Sequence, residues 1–461
     1  MLILGLGRAL QVIVMFASYR FLSSLFSAAE LSSYYFLLSI SGLFGLLIAN
    51  PMGMYLNRII HLSKSNKNLN SAIFFFLKIF LISSSVVLPI IFIFRSKIDE
   101  SQIDIFLIAL VLLIYVIGAT LNGFFISALN ILSKNILFVI LTTLTAVVGL
   151  SFSLGIVKTF DNSPILWMLG QGIATLIFGL IAVIMIKKIV TDDNLSFKLN
   201  KNEFIKFSFP ILLTNIFIWI MSQSFRFILK GNVDDSILGE MAFGLGMATG
   251  LAVAVEYLFH QLLLPHFYAE LDHESNLREE SWNKLFLKSA PAFICLAMYM
   301  TILSPFIMNV MADAKFKNAF IYFALGSVVE LFRMMGSMVN LAFHSEMKTS
   351  KSIQSYMLGG TITFVGIIWV SQNVEMLYLT PYILMLGQFL ILVSLLWKLK
   401  SLIRIKNPIN VIAKYLGLSL VFLLAMVIRQ EQNTYISLSI CFIFGLYLLF
   451  LFQKIQKEAI E

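Results

Sequence analysis

The sequence contains few charged residues and only two cysteines. Charged side chains make up 12% of the 461 residues, whereas hydrophobic side chains make up 59%. A soluble domain usually carries about twice that charged share, so this composition excludes an ordinary soluble enzyme. Cys295 and Cys441 both fall inside apolar stretches, which favours packing thiols over a disulfide framework or a redox pair.

Signatures of several chemistries are also missing. The chain has no Gly-x-x-x-x-Gly-Lys-Ser/Thr phosphate loop, so it is not expected to hydrolyse ATP. No cluster of His, Cys and Asp has the spacing of metal ligands, so we expect no metal and no cofactor. The net charge of +9 is not assigned to nucleic-acid binding, because in a membrane protein the distribution of Lys and Arg among the loops carries the information.

Apolar blocks of about 18 to 25 residues fill most of the sequence, and each is long enough to cross a hydrocarbon core roughly 30 Å thick. The sequence therefore predicts an all-α integral membrane protein with about fourteen transmembrane helices. The predicted spans cover residues 3–25, 33–57, 72–94, 105–127, 136–158, 164–186, 207–229, 239–264, 286–312, 318–343, 353–372, 379–397, 411–428 and 435–452.

The Lys and Arg residues are distributed unequally between the two sets of loops. With a cytoplasmic N-terminus, the cytoplasmic side carries roughly three times as many as the other side. This bias predicts that both termini are cytoplasmic in a bacterial inner membrane. The first apolar block contains Arg8 and Arg20 and has no small-residue cleavage site, so no cleaved signal peptide is expected.

Short sequence matches suggest an internal repeat with a period of six helices. Ser18–Leu22 in the first span matches Ser224–Ile228 in the seventh, and Met168–Gln171 in the sixth matches Met385–Gln388 in the twelfth. Because six is an even number, the two repeats would have the same orientation in the membrane. We therefore predict an N-terminal lobe (1–188), a parallel C-terminal lobe (207–398) and two additional helices (411–452), with a cavity between the lobes.

Charged residues inside the predicted spans are the candidate functional groups, because such residues cost several kcal/mol unless they are hydrated or paired. Arg20 and Arg226 occupy equivalent places in spans one and seven. Two interpretations are open for them: guanidinium groups that bind a phosphate in bidentate geometry, or interfacial side chains that snorkel. Arg58, at the inner end of span two, is either a group at the cytoplasmic entrance or an ordinary interfacial arginine.

Arg333 lies near the middle of span ten, where snorkelling is difficult. Glu330 precedes it by three residues and shares its helix face, which favours an internal ion pair. Glu256 in span eight is the other deep acid and is a candidate for coupling transport to an ion. The uncharged polar residues in the spans are expected to bridge helices or to line the cavity; these are Asn50, Asn122, Gln171, Asn215, Gln223, Asn340 and Gln388.

Two sets of residues form a recognisable pattern: Gly7, Arg20, Phe21-Leu22, Glu30–Tyr35 and Asn57-Arg58 at the start, then Phe207–Pro210, Trp219, Arg226–Leu229, Gly239 and Phe243. In this pattern the chain resembles the Wzx polysaccharide flippases, which belong to the larger MOP superfamily with the MATE exporters and MurJ. The resemblance covers essentially the whole chain through loose motifs. Relatives often have an Asp before the arginine that closes span seven, whereas this chain has Phe225.

The resemblance implies a flippase, not an enzyme, for an undecaprenyl-pyrophosphate-linked oligosaccharide such as an O-antigen or capsule repeat unit. It also implies possible association with the polymerase machinery. Arg20, Arg226, Arg333 and Arg58 would then bind the pyrophosphate in the cavity, with Glu256 and Glu330 as candidates for ion coupling.

Three alternatives are kept. A MurJ-like lipid II flippase would share the helix number and a basic cavity. A MATE-type exporter usually has twelve helices and acidic groups for cationic cargo. A membrane polysaccharide polymerase would need a long periplasmic loop with catalytic groups, and the longest predicted outer loops have about a dozen residues.

Overall fold

A computed structural model describes residues 2–98, 104–189, 195–269, 275–345, 350–401, 403, 408–428 and 433–458. Every regular element in these ranges is helical. We number the main helices α1 (Leu2–Leu25), α2 (Ala28–Ser65), α3 (Leu69–Ile93), α4 (Ile105–Ile131), α5 (Asn135–Thr159), α6 (Pro164–Ile189), α7 (Lys201–Leu229), α8 (Asp235–Ala269), α9 (Ser275–Ile302), α10 (Phe320–Ser345), α11 (Ser350–Gln372), α12 (Thr380–Leu399), α13 (Ile409–Ile428) and α14 (Thr434–Glu458).

Thirteen of these helices contain a segment long and apolar enough to cross a membrane, and α1 contributes a shorter apolar stretch, Ala9–Leu25, within the described part of the chain. The prediction of an all-α integral membrane fold with about fourteen spans is therefore confirmed. Helices α2, α7, α8, α9 and α14 extend beyond the predicted spans at one or both ends. The predicted span 286–312 is two helices, α9 and Ser304–Met311. The second of these begins anew where Pro305 sits in its first turn.

Local sequence explains where α2 and α4 begin and end. Ser27 and Glu30 form a capping box at the start of α2, in which the Ser27 backbone N–H donates to Glu30 Oε2 at 2.7 Å. Asp104 caps α4 by accepting from the Phe106 backbone N–H at 3.0 Å. Beyond the C-terminal ends of these two helices, Lys67 and Ser133 adopt positive φ angles of 52° and 63°, which allows the chain to reverse in a short connection.

The chain forms two compact units, and each is described separately. The first comprises Met1–Ser18 and Leu25–Trp219, and the second comprises Tyr19–Ser24 and Ile220–Glu461. Helices α1 and α7 therefore each contribute residues to both units. The predicted lobe boundaries (1–188, 207–398 and 411–452) stay a prediction.

In the first unit, α4, α5 and α6 pack closely. A Cβ at Gly118 of α4 would lie 2.6 Å from the Gly172 carbonyl oxygen of α6, so this glycine permits the two backbones to touch. The aromatic residues that extend this core include Tyr55, Phe76 and Phe80, and each of these side chains is at most 2% exposed. Phe80 also stacks on Phe124 with ring centroids 5.0 Å apart.

In the second unit, α13 and α14 pack against α9 and the short helix after it. Ser419 of α13 donates to the Cys295 thiol at 3.3 Å, and Tyr299 of α9 donates to the Cys441 carbonyl at 3.0 Å. Asn309 donates to Ser437 Oγ at 2.9 Å. Both cysteines are free thiols within helix contacts.

Candidate functional site

Three charged side chains meet in the second unit. Arg333 and Glu330 lie one turn apart on α10, and Arg333 Nε donates to Glu330 Oε2 at 2.5 Å. The other side of the same guanidinium donates to Glu256 Oε2 of α8, with Nη2 at 2.7 Å. The Glu330–Arg333 pair expected from the sequence is present, and Glu256 joins it from another helix.

This triad, defined as Glu256, Glu330 and Arg333, is deeply placed. Glu256 is 7% exposed and Glu330 is 5% exposed. Thr249 of α8 donates to Glu330 Oε1 at 2.8 Å, so both Glu330 oxygens accept a hydrogen bond. Tyr356 of α11, also buried, lies close enough to interact electrostatically with Arg333 and Glu256. The triad thus brings two acidic side chains from two helices to one guanidinium.

Arg20 lies near the C-terminal end of α1, in the part of that helix that belongs to the second unit. Its side chain is exposed, and Nη1 donates to the Ala312 carbonyl oxygen at the end of the helix Ser304–Met311. A cation at this place interacts favourably with the negative end of the helix dipole. Ser23 Oγ accepts from the Asp313 backbone N–H at 2.9 Å, and Lys315 Nζ donates to the Ser24 carbonyl at 3.1 Å, so the end of α1 is tied to the loop after that helix.

Arg226 lies near the end of α7 and is 8% exposed. Its Nη1 donates to Gln223 Oε1 at 2.7 Å, and its guanidinium lies 5.2 Å from the centre of the Phe225 ring. An aromatic ring thus borders the guanidinium. Arg58, in the first unit, is exposed, and its guanidinium lies 5.0 Å from the centre of the Phe207 ring.

The four candidate arginines therefore differ in their partners. Arg20, Arg226 and Arg58 contact neutral groups: a carbonyl, an amide oxygen and aromatic rings. Arg333 contacts two carboxylates. Among the contacts described above, Glu256, Glu330 and Arg333 are the only predicted site residues that touch one another.

Several of the uncharged polar residues bridge helices. Asn122 of α4 donates to Thr145 Oγ1 of α5 at 3.0 Å, and Asn215 of α7 donates to the Leu46 carbonyl of α2 at 2.7 Å. Trp219 of α7 donates through Nε1 to the Ser39 carbonyl of α2 at 3.0 Å. The sequence does not predict which groups accept these three hydrogen bonds, because two of the acceptors are backbone carbonyls and every residue has one.

An apolar groove of about 570 Å³ lies between α11 and α12 and includes Val365, Trp369, Tyr382 and Leu386. None of the predicted site residues lines it. No group of three or more His, Cys, Asp and Glu side chains suited to a metal ion occurs among the described residues. Of the five histidines, only the side chain of His61 falls in the described set.

No protein-family model and no curated protein matches the chain. Solved structures do match it in fold. The lipid II flippase MurJ in an inward closed conformation has a TM-score of 0.66 at 14% identity, covering 100% of this chain and 99% of that one. A MOP-superfamily transporter from Pyrococcus furiosus has a TM-score of 0.56 at 14% identity, covering 87% and 94%. An outward-facing MATE-family multidrug transporter has a TM-score of 0.57 at 13% identity, with the same coverage. The chain therefore has the fold of the MOP-superfamily membrane transporters.

Proposed function

We propose that the protein is a flippase that moves an undecaprenyl-pyrophosphate-linked oligosaccharide from the cytoplasmic to the periplasmic leaflet of a bacterial inner membrane. The substrate would be a repeat unit of a surface polysaccharide such as O-antigen or capsule. Its diphosphate is anionic, its glycan is polar and its lipid tail stays in the bilayer, so the protein must shelter the headgroup while the tail remains in hydrocarbon.

The observation that carries this proposal is the extent of the match in fold to a lipid flippase. The match to MurJ extends over 100% of this chain and so includes α13 and α14, whereas the match to the MATE transporter covers 87%. This match over the whole length is the reason to favour a flippase over a MATE-type exporter. The loose resemblance of the sequence to Wzx flippases supports the same class of substrate.

The present contacts of the four arginines indicate which guanidinium groups could exchange those contacts for a phosphate. A phosphate adds a full opposite charge and a bidentate geometry to the hydrogen bond that a guanidinium can make to a neutral oxygen. A diphosphate oxygen would therefore displace the Ala312 carbonyl from Arg20, the Gln223 amide from Arg226, or the Phe207 ring from Arg58. At Arg333 the phosphate would have to compete with two carboxylates. We assign headgroup binding to Arg20, Arg226 and Arg58 first, and to Arg333 only in a state in which the triad has opened.

Glu256 and Glu330 are proposed to couple transport to an ion. Both acids share the guanidinium of Arg333, so a proton or a monovalent cation could bind at one of them while the other stays paired with Arg333. Neutralising a buried charge removes a large desolvation penalty. Ion binding would thus favour states of the second unit in which the triad is fully enclosed.

Genetic complementation tests the function. The gene is expressed in a strain that lacks its own flippase and carries a matching polysaccharide pathway, and surface polysaccharide is measured. We expect restored display with the wild-type chain, and reduced display with Arg20→Ala and with Arg226→Ala at unchanged protein level. Arg95→Ala is the matched control, because Arg95 is a cationic residue in a short 3-10 segment outside the proposed site.

The lipid intermediates distinguish transport from polymerisation. A strain without flippase activity accumulates single lipid-linked repeat units on the cytoplasmic side, whereas a strain without polymerase displays single capped units. Normal display with both Arg20→Ala and Arg226→Ala would remove these residues from the mechanism. Failure of the wild-type chain in several such strains would reject the proposed substrate.

The two buried acids of the triad favour a second candidate, a MATE-type exporter of cationic compounds. Ionisable groups within membrane-spanning segments commonly mark ion or substrate pathways, so Glu256 and Glu330 could contact a cation as coupling ion or as cargo. Expression in a strain sensitised to cationic drugs separates the candidates. Drug resistance that is lost with Glu256→Gln, without any effect on surface polysaccharide, would support the exporter.

A further inference from the structure

Helix α2 is interrupted in its middle by a π-helical segment, Gly45–Ala49. In this segment the Asn50 backbone N–H donates to the Gly45 carbonyl, five residues earlier. In the same register, the backbone N–H of residue 51 would donate to the Leu46 carbonyl. Residue 51 is proline and has no N–H. The sequence thus leaves the Leu46 carbonyl without the helical donor that this register would supply.

Asn215 of α7 supplies the donor that is missing. Its Nδ2 donates to the Leu46 carbonyl oxygen at 2.7 Å, and the residue is only 4% exposed. A buried carbonyl without a partner would cost about as much as a lost hydrogen bond. In hydrocarbon this cost is acute, because no water is present to replace the partner.

The contact belongs to a row of three. Ser208 donates to the Pro51 carbonyl at 3.4 Å and Trp219 donates to the Ser39 carbonyl at 3.0 Å, on either side of Asn215. The three donors are spaced seven and four residues apart, which places them on one face of α7. Their acceptors run in the opposite direction along α2, so one face of α7 follows the backbone of α2 across the π-helical segment.

A second π-helical segment, Asn122–Ile126, interrupts α4 and lies beside α2. Its Phe124 ring occupies the space next to Gly53 of α2, where a Cβ would lie 1.5 Å from Phe124 Cε1. Gly53 follows the first π-helical segment by one turn. The second π-helical segment therefore contacts α2 one turn beyond the first, and breaks of this kind in the hydrogen-bond pattern are where helices bend.

We propose that Asn215 is a positioning residue that takes the place of the missing proline N–H and holds α2 bent at residues 45–51, so that this segment is a hinge for transport. Release of the Asn215–Leu46 hydrogen bond would free α2 to change its bend relative to α7. The inference goes beyond the proposed substrate, since it concerns α2 and α7 whatever the cargo is.

Backbone hydrogen exchange in the purified full-length protein tests the structural step. Asn215→Leu keeps the approximate side-chain size and removes the donor. We expect amides of residues 46–54 to exchange about five- to tenfold faster, the factor that corresponds to the loss of one hydrogen bond, with no change in α5. Adding Pro51→Ala should reverse most of this increase, because residue 51 then has an N–H that can serve the helix.

Trp219→Phe is the matched control. It removes a donor between the same two helices, but its acceptor, Ser39, lies in the regular part of α2. We expect no acceleration at residues 46–54 and no dependence on Pro51. If Asn215→Leu leaves exchange unchanged, accelerates it throughout the unit, or resists rescue by Pro51→Ala, the assignment of Asn215 is overturned.

The functional step has its own measurement. Pro51→Ala alone should straighten and stiffen α2 and lower transport at least fivefold while the protein level is maintained. Full transport by Pro51→Ala would overturn the hinge even if the exchange data support the role of Asn215. The exchange experiment needs no substrate, so failure of the proposed function would show in the complementation test and leave the exchange result intact.

Discussion

Removal of the Arg333 guanidinium should be among the most damaging single changes in the second unit. In Arg333→Met the two carboxylates of Glu256 and Glu330, 7% and 5% exposed, would lose their shared cation. Breaking a buried ion pair by removing one partner typically costs about 3–5 kcal/mol, because the remaining charge is buried without compensation. Here two charges would remain, which places the expected loss at the upper end of that range.

Glu256→Gln should behave in the opposite way. It replaces one of the two acids by a neutral amide of similar size and leaves Arg333 paired with Glu330 through the 2.5 Å contact. The glutamine oxygen can still accept from Arg333 Nη2. We expect a change in stability within about 1 kcal/mol, and under the proposed coupling role a severe loss of transport. This variant therefore separates the contribution of Glu256 to function from its contribution to the fold.

Unfolding of the purified full-length chain in one detergent, at one pH and salt concentration, measures both effects. Arg333→Met is compared with Glu256→Gln and with the triple variant Arg333→Met, Glu256→Gln, Glu330→Gln, which carries no charge in the triad. The triple variant should recover much of the stability lost in Arg333→Met, because uncharged groups of similar size replace buried charges with little cost. Equal destabilisation by Glu256→Gln and Arg333→Met would refute the charge argument, as would a stable Arg333→Met.

Three further outcomes are expected. Gly53→Ala should destabilise the first unit by about 1–3 kcal/mol through overlap with Phe124, whereas Gly123→Ala, which would meet no atom within 4 Å, should be tolerated; unfolding measurements on both check this. Reporter fusions after Lys188 and Lys97 should report cytoplasm and periplasm respectively, and the reverse pattern would contradict the orientation inferred from loop charge. Serine in place of either cysteine should leave polysaccharide export unchanged, and a strong loss in the same complementation assay would contradict their assignment as packing thiols.

The helix content and number of spans could be predicted because hydropathy responds to the physical constraint that matters most, burial of the backbone in hydrocarbon. Hydropathy did not predict where helices with polar ends begin or end. Helix α2 extends to Ser65, through Lys64, because its last turns need not lie in the bilayer. The break after Ile302 was equally invisible to hydropathy, since Ser304–Met311 is as apolar as the helix before it.

The hinge candidate shows a different limit. Pro51 is visible in the sequence, but its effect depends on the π-helical register at Gly45–Ala49, and nothing in the apolar composition of that segment marks such a register. Asn215 stood out only as one of several polar residues in the spans. Its acceptor is a backbone carbonyl 169 residues away, and every residue offers a carbonyl, so side-chain patterns could not identify it.

Arg333 makes one contact that the sequence predicts and one that it does not. Its pairing with Glu330 follows from helix geometry, since residues three apart share a face. The contact with Glu256 joins two helices that are distant in sequence, and only the folded chain reveals that the guanidinium serves two acids. That third member gives the guanidinium a second carboxyl partner, whereas the contacts described for Arg20, Arg226 and Arg58 are with a carbonyl, an amide oxygen and aromatic rings. Under the proposed function Arg333 is therefore the arginine whose present contacts a headgroup would find hardest to replace, because two carboxyl groups on two helices hold it.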